Sequence, residues 1–140
     1  MNIDWKVDSL TEINALSKGT LLEHIDIQIT SFDKTSITGT MPVDHRTVQP
    51  HKMLHGGASV ALAESLGSLA SNLSIDLDKF YAAGLEINAN HVRPVKSGKV
   101  IGTATAVHLG KSTHIWDIKI HDDNNKLVCV SRLTMAILKK

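Results

Sequence analysis

Gly56-Gly57-Ala58-Ser59-Val60-Ala61-Leu62-Ala63-Glu64-Ser65-Leu66-Gly67-Ser68-Leu69-Ala70-Ser71-Asn72-Leu73 is the stretch around which the rest of this chain must be arranged. Its leucines, Leu62, Leu66, Leu69 and Leu73, recur at spacings of four, three and four, which is the period of an α-helix. The glycine pair opens the segment, and the spacing predicts a helix over Ala58 to Leu73. Few of its positions are polar enough to face water, so the helix is expected to be nearly surrounded by protein. Ala58, Ala61, Gly67 and Ala70 are small enough for other backbone elements to approach it closely.

Outward from this helix the period changes to two. Four strand-like runs follow, at Ala82 to His91, Val100 to His108, Thr113 to His121 and Leu127 to Leu138. Asp122-Asp123-Asn124-Asn125 supplies turn chemistry between the last two. On the N-terminal side, Ile25, Ile27 and Ile29 alternate with Asp26, Gln28 and Thr30. This predicts a strand from about Leu22, then a polar turn at Ser31 to Lys34 and a return strand through Ile37, Gly39 and Met41. Pro42 to Pro50 breaks the period and reads as an ordered loop. Ser9-Leu10-Thr11-Glu12 fits a capping box that starts a short surface helix, with Leu10, Ile13 and Leu16 on one face and Gly19 at its end. The order of elements is helix, two strands, buried helix, four strands. It predicts one α+β domain over residues 1–140, an antiparallel sheet wrapped around one central helix.

Composition narrows the function. The chain has 140 residues, 42% hydrophobic and 21% charged, and a formal net charge of +1, so no uniform field is available to collect nucleic acid or an anionic membrane. Its single cysteine, Cys129, cannot form an intrachain disulfide and is expected in the core; a cytoplasmic location is the simplest expectation. Met53 to Ile75 is interrupted by serines, glycines and a glutamate, which argues against a membrane span.

Within the apolar helix Glu64 stands out. Burying an ionised carboxylate without partners costs several kcal/mol or raises its pKa, so a sequence that keeps one there has a use for it. The ordinary alternative is a solvent stripe or a pairing with a distant Lys or Arg. Ser68, one helical turn on, is placed to hydrogen-bond the carboxylate. Just ahead stands Met53-Leu54-His55-Gly56-Gly57. A helix start carries unpaired backbone N–H groups and the positive end of the dipole, and glycine lets a ligand atom come close, so this is a candidate oxyanion hole. A helix start that merely needs flexible glycines is the alternative. His51 and His55 are four apart, but Pro50 and Gly56-Gly57 flank them, so a helical His pair holding zinc is not expected. No metal or cofactor is expected.

His55-Gly56-Gly57-Ala58-Ser59-Val60 with Ala63-Glu64-Ser65 resembles the core motif of the hot-dog fold thioesterases, in particular the branch acting on aromatic acyl-CoA. Met41-Pro42-Val43-Asp44, Arg46-Thr47, Gln49-Pro50, Gly84 to Arg93, His108-Leu109-Gly110 and Ser131-Arg132-Leu133-Thr134 extend the likeness from about Asp4 to Leu138. It is similar above all to the 1,4-dihydroxy-2-naphthoyl-CoA hydrolases of menaquinone or phylloquinone biosynthesis. The resemblance implies a homo-oligomer, a dimer with shared active sites that doubles to a tetramer, with an acyl-CoA substrate. It implies that the Gly56 N–H polarises the thioester carbonyl, Gln49 and His55 position the acyl group and loop, Glu64 acts as nucleophile or general base, and Ser68 orients carboxylate or water. His91, Arg93, Lys111 and Ser112 are the implied contacts to the CoA nucleotide. The readings kept open beside this one are a broad-specificity or aryl-carrier-protein proofreading thioesterase, a hydratase or dehydratase using His55 as base, and an acyl-CoA binding module without catalysis.

Overall fold

A computed structural model describes residues 1–140. Ser9 caps the first helix, α1 (Leu10–Ala15), accepting the Glu12 N–H at 3.2 Å, while the Glu12 carboxylate accepts the Asp8 N–H at 3.1 Å. The helix stops at Ala15, earlier than expected. Gly19, at φ +73°, lies beyond it in the turn that leads to a second short helix, α2 (Leu21–His24), and its N–H donates to Glu23 at 2.7 Å.

The helix α2 corrects the strand expected from Leu22. Thr20 accepts the Leu22 N–H at 3.2 Å and starts one helical turn, and Asp26 at φ +57° then turns the chain out of it. Pairing begins only at Gln28, giving β1 (Gln28–Phe32) and β2 (Ser36–Pro42). Ile25, Ile27 and Ile29 are all buried, so their alternation reflected burial rather than one continuous strand. The turn also lies later than expected. Asp33 Oδ1 accepts the N–H groups of Thr35 and Ser36 at 2.8 and 2.9 Å.

The long helix α3 (Gly56–Asn72) is followed by β3 (Phe80–His91), β4 (Lys99–Leu109), β5 (Thr113–Asp122) and β6 (Leu127–Lys139). The six strands form one antiparallel sheet in the order β1-β2-β4-β5-β6-β3, with α3 packed on one face. This is the hot-dog arrangement.

Glycines let the helix sit close. Gly39 and Gly102 face each other across β2 and β4, and a Cβ on either would come within 3.0 and 2.8 Å of the Leu66 methyls. The pair leaves a furrow in the sheet that Leu66 fills. On the helix side, a Cβ at Gly67 would lie 2.6 Å from a Leu133 methyl. Along α3 the buried residues are Ser59, Leu62, Ala63, Leu66, Gly67, Ala70 and Ser71, and only Gly57 is exposed. Cys129 is buried in the core, which pushes its thiol pKa up. No helix is long and apolar enough to cross a membrane.

The two edges of the sheet differ. β1 is short and its pairing shifts register between Ile29 and Ser31. β3 runs twelve residues, pairs only with β6 and leaves Leu85 65% and Tyr81 43% exposed.

Candidate active site

The sequence candidates fall into three places in one chain. Gln49, Gly56, His91 and Arg93 line a cleft of about 340 Å³ together with Met53, Leu54 and Ser59. The loop that leads into it is held by its own backbone. The Gln49 N–H donates to Met53 at 2.8 Å, Leu54 N–H to Val95 at 2.8 Å and His55 N–H to Thr47 at 2.8 Å, and the Gln49 side chain accepts the His51 N–H.

His55 has the extended backbone of an N-cap, φ −69° and ψ 129°, and its Nδ1 accepts the Gly57 N–H at 2.8 Å. That bond assigns the neutral ring with its proton on Nε2. The His55 carbonyl points along the helix, accepting from Ala58 at 3.0 Å and Ser59 at 3.2 Å. Across a trans peptide the N–H points the opposite way, so the Gly56 N–H is directed out of the helix start, where no group of the chain accepts it. His91 lies over the same glycine, its Nε2 3.0 Å from where a Cβ of Gly56 would be. The donor is therefore free, and the space beside it is kept by the absence of a side chain.

Glu64 and Ser68 line a different cleft of about 250 Å³ with Leu16, Thr20, Leu22, Ser65 and Leu69. Glu64 is eight residues beyond Gly56, about 12 Å along the helix axis. It is half-buried, and its Oε1 lies against β3, 2.8 Å from where a Cβ of Gly84 would stand. No Lys, Arg or His of the chain is within ion-pair distance of it. The distant cation that could have explained Glu64 structurally is absent from the chain. Ser68 shares the cleft but makes no hydrogen bond to the carboxylate; its carbonyl accepts from Asn72 at 3.0 Å.

Lys111 and Ser112 form the exposed β4–β5 turn, where the Ser112 carbonyl accepts the Ile137 N–H at 2.9 Å. Lys111 lines the largest cavity, about 660 Å³, with Phe80, Leu109, His114, Ile137 and Lys139. His91 is opposite Cys129, at the other end of β6. The eight residue steps along the strand from Cys129 to Ile137 put these two groups roughly 26 Å apart. One chain does not bring the four expected nucleotide contacts together.

Two anchoring networks were not foreseen. Trp116 donates its indole N–H to the Ser71 hydroxyl at 2.8 Å, and Ser71 in turn meets His114 Nδ1 at 3.2 Å. Burial pushes the His114 pKa down, against the opposing effect of the hydrogen bond its ring donates to the Gly110 backbone carbonyl. Asp44 is held down to about 2, first by the hydrogen bond from the Arg46 side chain. Thr47, which the resemblance includes without a role, is 2% exposed. The signal for this loop was Asp44-His45-Arg46-Thr47, an acidic residue followed by a hydroxyl three on, which is turn chemistry.

The chain thus carries a free N–H at a glycine-led helix start and an unpaired carboxylate further along the same apolar helix, in two separate clefts. Residues 51–129 match the family model described as the thioesterase superfamily, and the chain belongs to that family. It is 45% identical over 135 residues to the 1,4-dihydroxy-2-naphthoyl-CoA hydrolase of Escherichia coli K12, spanning 96% of this chain and 98% of that protein. The proofreading thioesterase EntH of Cronobacter turicensis is likewise 45% identical, over 96% of this chain and 98% of its own length. A crystal structure of a mutant thioesterase from Pseudomonas aeruginosa superposes with a TM-score of 0.95 at 47% identity, covering 97% of this chain and 99% of that one. The protein is a thioesterase-type hydrolase.

Proposed function

We propose that this chain hydrolyses an aromatic acyl-CoA, such as 1,4-dihydroxy-2-naphthoyl-CoA in menaquinone or phylloquinone biosynthesis, at sites shared between two copies. The observation that carries the reading is the separation of Gly56 and Glu64. Both are chemically unoccupied within the chain, and they lie about 12 Å apart on one helix. Antiparallel apposition of two such helices brings Glu64 of one copy to Gly56 of the partner subunit. The open edge of β3 favours the same assembly, because two such edges satisfy each other's backbone groups. Antiparallel β3 pairing also sets the His91 end of one copy beside the Phe80 end of the other. His91 and Arg93 then approach Lys111 and Ser112 of the partner subunit and bracket the CoA phosphates. A dimer of such dimers is the proposed full assembly.

In this site the Gly56 N–H binds the thioester oxygen as it gains negative charge. Glu64 either attacks the carbonyl carbon to give a mixed anhydride that water cleaves, or takes a proton from the attacking water. In both routes the C–S bond breaks, CoA leaves as its thiol and the acyl group leaves as a carboxylic acid. Gln49 and His55 position acyl group and loop, and Ser68 orients the carboxylate or the water. Cys129, unpaired and buried, suits a reducing, cytoplasmic setting.

His55 argues against the hydratase reading. Its Nδ1 already accepts the Gly57 N–H, so the remaining nitrogen carries a proton and donates rather than abstracts. A proofreading role on aryl-carrier protein remains the second reading, supported by the equal identity to a relative of that name. The test is relative kcat/KM for dihydroxynaphthoyl-, benzoyl- and long-chain acyl-CoA and an aroyl carrier protein, followed by thiol release. Dihydroxynaphthoyl-CoA is expected first. Preference for a long aliphatic chain, or a product that keeps its thioester, overturns the assignment.

A further inference from the structure

The Gly56 N–H is useful only if it is aimed, and the groups that aim it converge on a residue that touches no substrate cleft. Thr47 is almost wholly buried, at 2% exposure. Its hydroxyl donates to the Pro42 carbonyl at 2.7 Å, where β2 ends, and accepts the Asp44 N–H at 3.1 Å. Its N–H donates to Asp44 at 3.0 Å. Its carbonyl accepts the His55 N–H at 2.8 Å. One residue therefore ties the last residue of a sheet strand to the N-cap of the helix that carries the donor.

His55 has no freedom left once this bond is made. Its carbonyl is taken by Ala58 and Ser59, its ring by Gly57 and its N–H by Thr47. The peptide between His55 and Gly56 is thereby held from both sides. The helix sets which way its N–H points, and Thr47 sets where it stands relative to the sheet, and so relative to His91 at the end of β3.

We infer that Thr47 is a positioning residue for the oxyanion donor, acting through His55 on Gly56. The inference rests on the thioesterase reading above. Thr47→Val keeps the shape but leaves Pro42 and Asp44 without their hydroxyl partner, and the loop then relaxes at the His55 end. A small displacement of a preorganised donor weakens stabilisation of the developing charge more than substrate binding.

The experiment measures kcat and KM separately for wild type, Thr47→Val and Thr47→Ser. It also records the infrared carbonyl stretch of a bound ketone analogue of an aroyl-CoA, in which a methylene is inserted between the carbonyl carbon and the sulfur so that no acyl C–S bond is there to hydrolyse. Expected are a kcat about tenfold lower in Thr47→Val with KM within about twofold, recovery in Thr47→Ser, and a carbonyl stretch less red-shifted in Thr47→Val alone. Should Thr47→Val not fold, Thr47→Cys, whose thiol is a weaker partner, carries the same comparison. A folded variant with unchanged kcat, or an unchanged carbonyl stretch, overturns the inference. Lack of thiol release by the wild type across the thioester panel instead overturns the reading beneath it.

Discussion

The two clefts along α3 are opposites in construction. At the helix start the backbone around the donor is tied down: His55 is held at four points, the loop from Thr47 to Leu54 is bonded to itself and to Val95, and the Gly56 N–H is left spare. Around Glu64, the cleft is lined by Leu16, Leu22 and Leu69 beside Thr20, Ser65 and Ser68, and the carboxylate has neither ion pair nor hydrogen bond from the chain. Preorganised donors suit charge that develops late, whereas a nucleophile or base has to stay unsatisfied to react. The difference explains why one helix carries both groups without letting them neutralise each other.

The contrast breaks first at the carboxylate. Glu64→Gln keeps shape and removes charge, and kcat should fall by about 10²–10⁴-fold with the melting temperature unchanged or raised. A loss within threefold would remove Glu64 from the chemistry. At the other cleft Gly56→Pro deletes the N–H while respecting a helix start, since proline is tolerated at the first helical position and His55 already has the extended backbone that must precede it. Loss of about 10²–10³-fold in kcat is expected, with helical circular dichroism retained. His91 must yield slightly to the ring, so His91→Ala serves as the control.

Mixing these two inactive chains sharpens the comparison. If each site takes Gly56 from one copy and Glu64 from the other, one of the two sites in a mixed dimer is intact, and an equimolar mixture after refolding regains about a quarter of wild-type activity. No recovery would place both groups in one copy's site. Smaller effects belong to the frame. Gly67→Ala drives a methyl into Leu133 and should destabilise by about 1–3 kcal/mol in thermal or denaturant unfolding. His114 is held neutral by burial, so its folded pKa lies below the unfolded value of 6.5. Its contribution to stability is present above pH 6.5 and is lost as pH falls through the folded pKa. The melting temperature of wild type should therefore drop as pH is lowered below about 6.5, and His114→Gln should flatten that slope.

Much of this was legible beforehand, for identifiable reasons. Strands β3 to β6 and helix α3 lie within a few residues of their expected bounds because alternation and leucine spacing run long in them. The region from Leu22 to Ile27 was misread because three isoleucines alternate in burial through a helical turn and a left-handed residue, and side-chain pattern does not record backbone φ. Gly19 was read as a helix end; its positive φ serves the next turn instead. Gly56 and Glu64 were visible as anomalies against their own neighbours. The division of His91 and Arg93 from Lys111 and Ser112 was not, since it depends on which end of β6 each pairs with. Thr47 was included in the resemblance without a role for another reason: its hydroxyl, N–H and carbonyl all bond to backbone groups of other residues, and a side-chain pattern does not record such partners.

The open side of β3 has a consequence for the life of the newly made chain. Twelve residues of bare strand edge, with Leu85 and Tyr81 projecting, form a template on which any extended polypeptide can add. If copies pair along this edge as proposed, a lone copy should be short-lived in a crowded solution, and the thermal midpoint should rise with protein concentration. On that pairing, dilution, rather than heat or acid, should be the gentlest way to inactivate the protein.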